Sequence, residues 1–153
     1  AMLIVFCSPV GPYFKGGMTT IKVVVDREQD RAAPRGTGDI KAGGNYASSI
    51  LSGEKAHDLG YANVMYLDAR EHKYIEECGA ANFFGIKDGK EAGACGTAAV
   101  ISPIESVYDL DTGKLVTYGK QVGKTCLALY NKLQDIQYGR CEDKYGWTTV
   151  VEE

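Results

Sequence analysis

No apolar stretch in this chain is long. The most extended aliphatic run is Met2-Leu3-Ile4-Val5-Phe6-Cys7, and the others are cut short by glycine, proline or charge. Short apolar runs bounded by turn residues are the pattern of buried strands, and they fall far below the about 20 apolar residues that a membrane-spanning helix needs. Met2–Cys7 has no basic residue ahead of it and makes a poor secretory signal, so a cytoplasmic location is expected. Ala1 before Met2 reads as a residue left by removal of a tag.

The chain's 153 residues are one domain's worth, enough to bury about 68–70% of the surface that the unfolded chain exposes. With 17 Lys+Arg against 20 Asp+Glu the net charge is −3, and no concentrated positive field is available to hold a nucleic-acid backbone. The five cysteines form no CxxC pair, and His57 and His72 lack metal-ligand spacing, so reduced thiols and no metal site are expected. Nineteen glycines against four prolines point to tight turns, or to backbone brought close to something.

Met2–Cys7 reads as a buried strand that Ser8-Pro9-Val10-Gly11-Pro12 breaks, and Thr19–Val25 as a second strand rich in β-branched residues. A loop with four acidic and four basic residues runs from Asp26 to Lys41 and ends in Gly36-Thr37-Gly38-Asp39-Ile40-Lys41-Ala42-Gly43-Gly44. Asn45 is placed to cap a helix with apolar positions Ala47, Ile50, Leu51 and Ala56, which stops at Gly60. Asn63–Asp68 and Tyr74–Cys78 suggest a hairpin across Ala69–Lys73, and Ala81–Ile86 is a strand ending at Asp88-Gly89. Thr97–Ile101 reads as a buried strand, and Ser106–Tyr108 pairs with Leu115–Tyr118. A last helix spans about Lys124–Tyr138, with Leu127, Tyr130 and Leu133 on one face and Gly139 as its stop. The pattern predicts a sheet-dominated α/β or α+β domain with two helices.

The glycine-rich loop fits neither phosphate fingerprint: Lys41 stands where G-x-G-x-x-G needs its last glycine, and Gly-Lys-Ser/Thr is absent. Lys41, flanked by Gly38 and Gly43-Gly44, reads either as a solvated loop lysine or as a buried amine whose pKa desolvation lowers, as Schiff-base chemistry requires. Tyr46 stands at the helix start. Glu76-Glu77 put paired carboxylates at a strand end, where one of two adjacent residues points inward. Gly93-Ala94-Cys95-Gly96-Thr97-Ala98 reads as a tight turn into a strand, or as an anion nest of backbone N–H groups with the Thr97 hydroxyl. Neither histidine partners Cys95 in a recognisable nucleophile motif.

Together these features resemble one family. The chain is similar to the C-terminal, cofactor-carrying portion of branched-chain amino-acid aminotransferases, the fold type IV pyridoxal 5'-phosphate (PLP) enzymes. The match begins at Ser8-Pro9-Val10-Gly11-Pro12-Tyr13-Phe14 and centres on Arg35-Gly36-Thr37-Gly38-Asp39-Ile40-Lys41-Ala42-Gly43-Gly44-Asn45-Tyr46. It continues through Asn63–Asp68, Glu77-Cys78-Gly79-Ala80-Ala81-Asn82-Phe83-Phe84, Gly96–Pro103, Ile136-Gln137-Tyr138-Gly139 and Tyr145-Gly146-Trp147.

The resemblance implies an α/β fold with a mixed, barrel-like sheet and flanking helices, an incomplete version of the C-terminal domain of the D-amino-acid-aminotransferase-like fold. Residues 1–153 are then a single partial domain whose N-terminal companion is absent. Lys41 is implied as the lysine that carries PLP and shuttles the proton at Cα. Tyr46 is implied as the partner of the cofactor's phenolate oxygen, and Glu77 as the partner of its ring nitrogen. Thr97 and Ala98 match the turn that faces the cofactor phosphate and the substrate carboxylate, and the glycines near Lys41 would let backbone approach a bulky ligand.

The implied reaction moves an amino group between branched-chain amino acids and 2-oxoglutarate, with amino-acid and 2-oxo-acid partners and a homodimer. The alternative is a non-catalytic remnant that keeps the fold and binds PLP weakly or not at all. Two departures favour it: the missing N-terminal domain with its phosphate-binding arginine, and a missing segment between Lys90 and Glu91 whose helix N-terminus holds the phosphate. That junction is expected either to be a direct bond or to hide omitted residues, the second being favoured; a Cα separation well above about 3.8 Å would mark omission. Ala99 and Ser102 stand where some relatives have a redox CxxC, so no such switch is expected, and Ala80 replaces a threonine that touches substrate in some members.

Overall fold

β-branched residues concentrate in Ile21–Val25 and recur in Asn63–Leu67. In the computed structural model, which describes residues 2–9, 17–97 and 99–151, these segments are strands β1 (Ile21–Val25) and β2 (Asn63–Leu67). They pair in parallel, Val23 opposite Asn63 and Val25 opposite Met65. Parallel neighbours need a crossover, because no tight turn can return the chain to the same end. Helix α1 (Gly44–Asp58) supplies it.

Strand β3 (Ile75–Cys78) returns antiparallel to β2. Asp68 holds the connection together, its carboxylate accepting the backbone N–H groups of Glu71, Lys73 and Tyr74. Strand β4 (Asn82–Ile86) follows, then β5 (Glu91–Gly96), the long β6 (Val100–Asp109), β7 (Leu115–Thr117) and helix α2 (Lys124–Gln137). The seven-stranded sheet runs β3-β2-β1-β6-β5-β4, with β7 also on β6. A bridge between Cys78 and Ala81 brings the two ends of this order together, so the mixed sheet curls into a nearly closed barrel.

Side chains alternate across this sheet. Val23, Val25, Met65, Leu67, Cys78, Ala92, Ala94 and Ile104 bury on one face. Val24, Val64 and Tyr66 bury on the other, against Ala56 of α1. Tyr66 brings a hydroxyl into this second cluster, where it meets Ser52 Oγ at 2.6 Å, so the polar atom is paired.

Several expectations needed correction. Met2–Cys7 forms no strand: Met2 to Phe6 are 76–90% exposed and pair with no strand among the described residues, so their backbone groups are left to water. Residues 10–16, which hold most of the Ser8–Phe14 motif, lie outside the described residues. Thr97–Ile101 is not one strand. Thr97 occupies the turn between β5 and β6, and the strand starts at Val100 and continues to Asp109. Strand β5 escapes sequence reading because Ala92-Gly93-Ala94 lacks bulky residues. Phe84 pairs opposite Gly93 and its ring lies 2.5 Å from where a Cβ would stand, so only glycine fits beneath it. Lys90 closes a tight turn, its N–H donating to the Lys87 carbonyl, and β5 begins at the next residue with Glu91 opposite Ile86.

The helices form where expected, and part of each expected face is buried. In α1 Ala56 is buried with Ser52, while Ile50 and Leu51 are 63% and 67% exposed. In α2 Tyr130 and Leu133 are half-buried beside the buried Cys126 and Ile136, while Leu127 is exposed. Its first N–H groups, from Thr125 and Cys126, donate to the Glu91 carboxylate on β5, which satisfies donors that a helix start leaves orphaned. Among the described residues, no helix is long and apolar enough to cross a membrane.

Two outcomes are expected. Ser52→Ala should cost about 1–3 kcal/mol by leaving the Tyr66 hydroxyl buried and unpaired, and adding Tyr66→Phe should restore most of that in a denaturant double-mutant cycle. The Arg27 guanidinium holds the Asp109 carboxyl well below the usual carboxylate range. A carboxyl depressed in the folded state stabilises fully above its unfolded pKa of about 4, and that contribution disappears as pH falls further. Asp109→Asn should therefore lower stability at pH 7 and weaken its dependence on pH below about 4, measured by urea unfolding across pH.

Candidate active site

The crossover from β1 to α1 carries the chain back from the end of the strand through residues 26–43. Asp26, at the end of β1, is buried and meets Lys55 Nζ of α1 at 3.2 Å, tying helix to strand. Beyond it the loop folds on itself: a Cβ on Gly38 would lie 2.8 Å from the Ala32 Cβ, so glycine is needed for this contact within the loop. Gly43 and Gly44 face open space. The glycines near Lys41 thus serve in part to pack loop against loop.

Asn45 does not cap the helix. Gly43 takes the N-cap position without a side-chain hydrogen bond. The Asn45 amide instead reaches back, donating to the carbonyls of Thr37 and Ile40 and accepting from the Thr37 hydroxyl, all at 2.6 Å. These three bonds fix the turn that presents Lys41.

Glu77 reaches the same region through an irregularity in β3. Cys78 pairs with Met65, Glu77 with Tyr66 and Ile75 with Leu67, so Glu76 is an extra residue in the ladder. An inserted residue reverses the alternation of a strand. Ile75 and Cys78 can then both follow Leu67 and Met65, while Glu77 follows Tyr66 to the α1 side. Of the adjacent glutamates Glu77 is half-buried and Glu76 exposed, which is the division the strand geometry predicted.

Lys41, Tyr46 and Glu77 line one open cavity of about 270 Å³ together with Arg31 and Asn45. Lys41 Nζ lies 5.9 Å from the centroid of the Tyr46 ring. Lys41 is exposed rather than buried, since its loop stands at the open mouth of the cavity. Thr97 is exposed at the β5–β6 turn and is not among the residues that line the cavity; Ala98 lies outside the described residues.

Sequence reading missed Arg31. Its side chain is 9% exposed, and its Nε lies 2.9 Å from Glu77 Oε2. In the sequence it is one of several charges in a polar loop, and nothing there distinguishes a buried arginine from solvated ones.

The two buried cysteines are poorly placed to act as nucleophiles. Burial pushes the Cys78 thiol up to about 12 and the Cys126 thiol up to about 11, away from the thiolate that a nucleophile needs. All five cysteines are free, and the described residues hold no cluster of three or more His, Cys, Asp or Glu suited to a metal ion.

No family model matches the chain. It is 37% identical to a branched-chain-amino-acid aminotransferase of Haemophilus influenzae over 198 positions, which cover 97% of this chain and 57% of that protein. A Helicobacter pylori protein of the same name is 36% identical, with 98% and 57% covered. The solved Escherichia coli branched-chain amino acid aminotransferase superposes with a TM-score of 0.75 at 26% identity, over 92% of this chain and 59% of that one. A T.th. enzyme of the same name, solved with pyridoxamine 5'-phosphate, gives 0.76 at 20% identity over 94% and 59%.

The nearly closed barrel with its two helices is thus the fold of the type IV aminotransferases. By sequence and fold together, the chain is homologous to the C-terminal portion of the branched-chain-amino-acid aminotransferases. It spans a little over half the length of these curated relatives. The 198 aligned positions exceed its 153 residues, so the Haemophilus influenzae protein carries residues within the match that this chain lacks.

Asn45→Ala should free the turn at Thr37–Lys41 while leaving the sheet intact. Faster amide hydrogen exchange confined to that turn and the first turn of α1 is the expected result.

Proposed function

We propose that this chain forms the cofactor-holding part of a PLP-dependent transaminase that moves an amino group between branched-chain amino acids and 2-oxoglutarate. The observation that carries this reading is the convergence of Lys41, Tyr46 and Glu77 on one cavity. An amine, a phenol and a carboxylate are the set of groups that suits an aldehyde-bearing hydroxypyridine, so the residues fit the ring end of the cofactor.

When bound, PLP supplies an electron sink for negative charge developing at the substrate Cα. Lys41 provides the amine for covalent attachment and, when released, the base that takes and returns the Cα proton. Its exposure leaves the amine accessible to a ligand. Tyr46 would donate its hydroxyl to the ring oxygen. Glu77 would accept from the ring nitrogen, and a negative charge there would favour the protonated ring. Thr97 and Ala98 are assigned to the phosphate and the substrate carboxylate on the family resemblance, as is a homodimeric assembly.

A second reading, a non-catalytic remnant with weak cofactor binding, draws on the cations around the cavity. Those lining it are Lys41 and Arg31; the first is assigned to attachment and the second is engaged with Glu77. No lining cation among the described residues is left over for a phosphate, where each charge-assisted hydrogen bond contributes about 1.5–3 kcal/mol.

Titration with PLP, followed by absorbance and fixed with borohydride, separates these readings when run beside a transamination assay with leucine and 2-oxoglutarate. The chain alone is expected to form a fixable adduct at high PLP, which Lys41→Ala abolishes, with little or no turnover. Substantial turnover would favour the full transaminase. Absence of any adduct at high PLP would remove the cofactor assignment.

A further inference from the structure

Arg31, itself on the loop, touches both α1 and the β3 end, the two regular elements that meet at the cavity. Its Nε–H donates to the Gly79 carbonyl at 3.0 Å, two residues beyond Glu77, while the same nitrogen stands 2.9 Å from Glu77 Oε2. One terminal nitrogen donates to the carbonyl of Asn45, immediately before Tyr46. The guanidinium carbon lies 5.2 Å from the Tyr46 ring centroid, within range of a cation–π contact. Its own carbonyl accepts from Ser48 Oγ, a turn into α1.

The Glu77 carboxylate has two oxygens. Oε2 faces Arg31, and Oε1 has no hydrogen-bond partner among the described residues. Burying a guanidinium carries a large desolvation cost, and a packed apolar side chain of similar volume often serves stability as well or better. An arginine offers in addition a rigid planar fork that can hold a carboxylate, two carbonyls and a ring in one fixed relation.

We propose that Arg31 is a positioning residue: its guanidinium sets Glu77 and Tyr46 relative to each other and occupies Oε2, leaving Oε1 for the nitrogen of a pyridine-type ligand. The inference rests on the proposed function for the identity of that ligand, but the linkage of Glu77 to Tyr46 through Arg31 exists without it.

The test has two arms on the full chain, with Arg31→Lys and Arg31→Met as variants and retained circular dichroism as the check of folding. In the cofactor-free protein, hydrogen exchange is read at the amides of Asn45 and Tyr46 and of Cys78 and Gly79, all of which are hydrogen-bonded. Either variant should speed exchange at both sites together, with Arg31→Lys the milder because it keeps the charge without the fork. An increase at one site alone, or at neither, overturns the inference.

In the second arm, PLP affinity is measured by absorbance for wild type, Arg31→Met, Glu77→Gln and the double variant. Arg31→Met should weaken binding at least about tenfold in the wild-type background and less than about threefold once Glu77 is already Gln, the strong coupling expected of groups acting as a unit. Independent, multiplicative losses, or no loss, overturn it. If no protein binds PLP while exchange rises at both sites, the functional reading fails and the positioning role stands.

Discussion

Parallel pairing of β1 with β2 is the constraint on which the rest of this structure depends. Two adjacent strands running the same way oblige the chain to leave one end of the sheet and re-enter at the other, and residues 26–62 make that journey. The outgoing half becomes a loop with no sheet of its own, and the returning half becomes α1, laid on Val24, Val64 and Tyr66. The junction between loop and helix falls at the end of the strands, and there the side chains of Lys41 and Tyr46 meet. The site is a consequence of strand direction before it is a matter of side-chain identity.

A second constraint is the extra residue in β3. Without it, strict alternation would place Ile75 on the face of Glu77, and Glu76 on the face of the buried Cys78, where a carboxylate would point toward the core. One inserted glutamate resolves the conflict, because the side-chain period of a strand is two. The hydrophobic requirement of the core and the polar requirement of the cavity are met by the same short strand. Arg31 then binds this strand to the helix across the cavity, so three elements distant in sequence share one buried charge.

The elements that were legible in the sequence were those whose burial follows from local pattern. The runs at Ile21–Val25 and Asn63–Leu67, the hairpin around Asp68, and the extents of both helices all emerged close to where periodicity put them. What failed were statements about neighbours. Met2–Cys7 has strand composition and no strand to pair with, and β5 has poor strand composition and a phenylalanine that covers its glycine. Ile50, Leu51 and Leu127 stayed exposed because apolar spacing names a stripe on a helix without naming what lies against each residue of it.

The sequence by itself determined the short-strand architecture, the two helices, and the ordered motifs that tie Lys41, Tyr46 and Glu77 to a known family, since each of these is written in local spacing or residue order. Only the tertiary structure decided how an extra residue in β3 turns Glu77 toward the cavity, that Asn45 braces a loop instead of capping a helix, that Lys41 stands exposed, and that Arg31 is the buried charge joining them. Those outcomes depend on pairing register and on contacts between residues far apart in the chain. Burial and hydrogen-bond satisfaction are properties of the assembled neighbourhood, and no local pattern contains them.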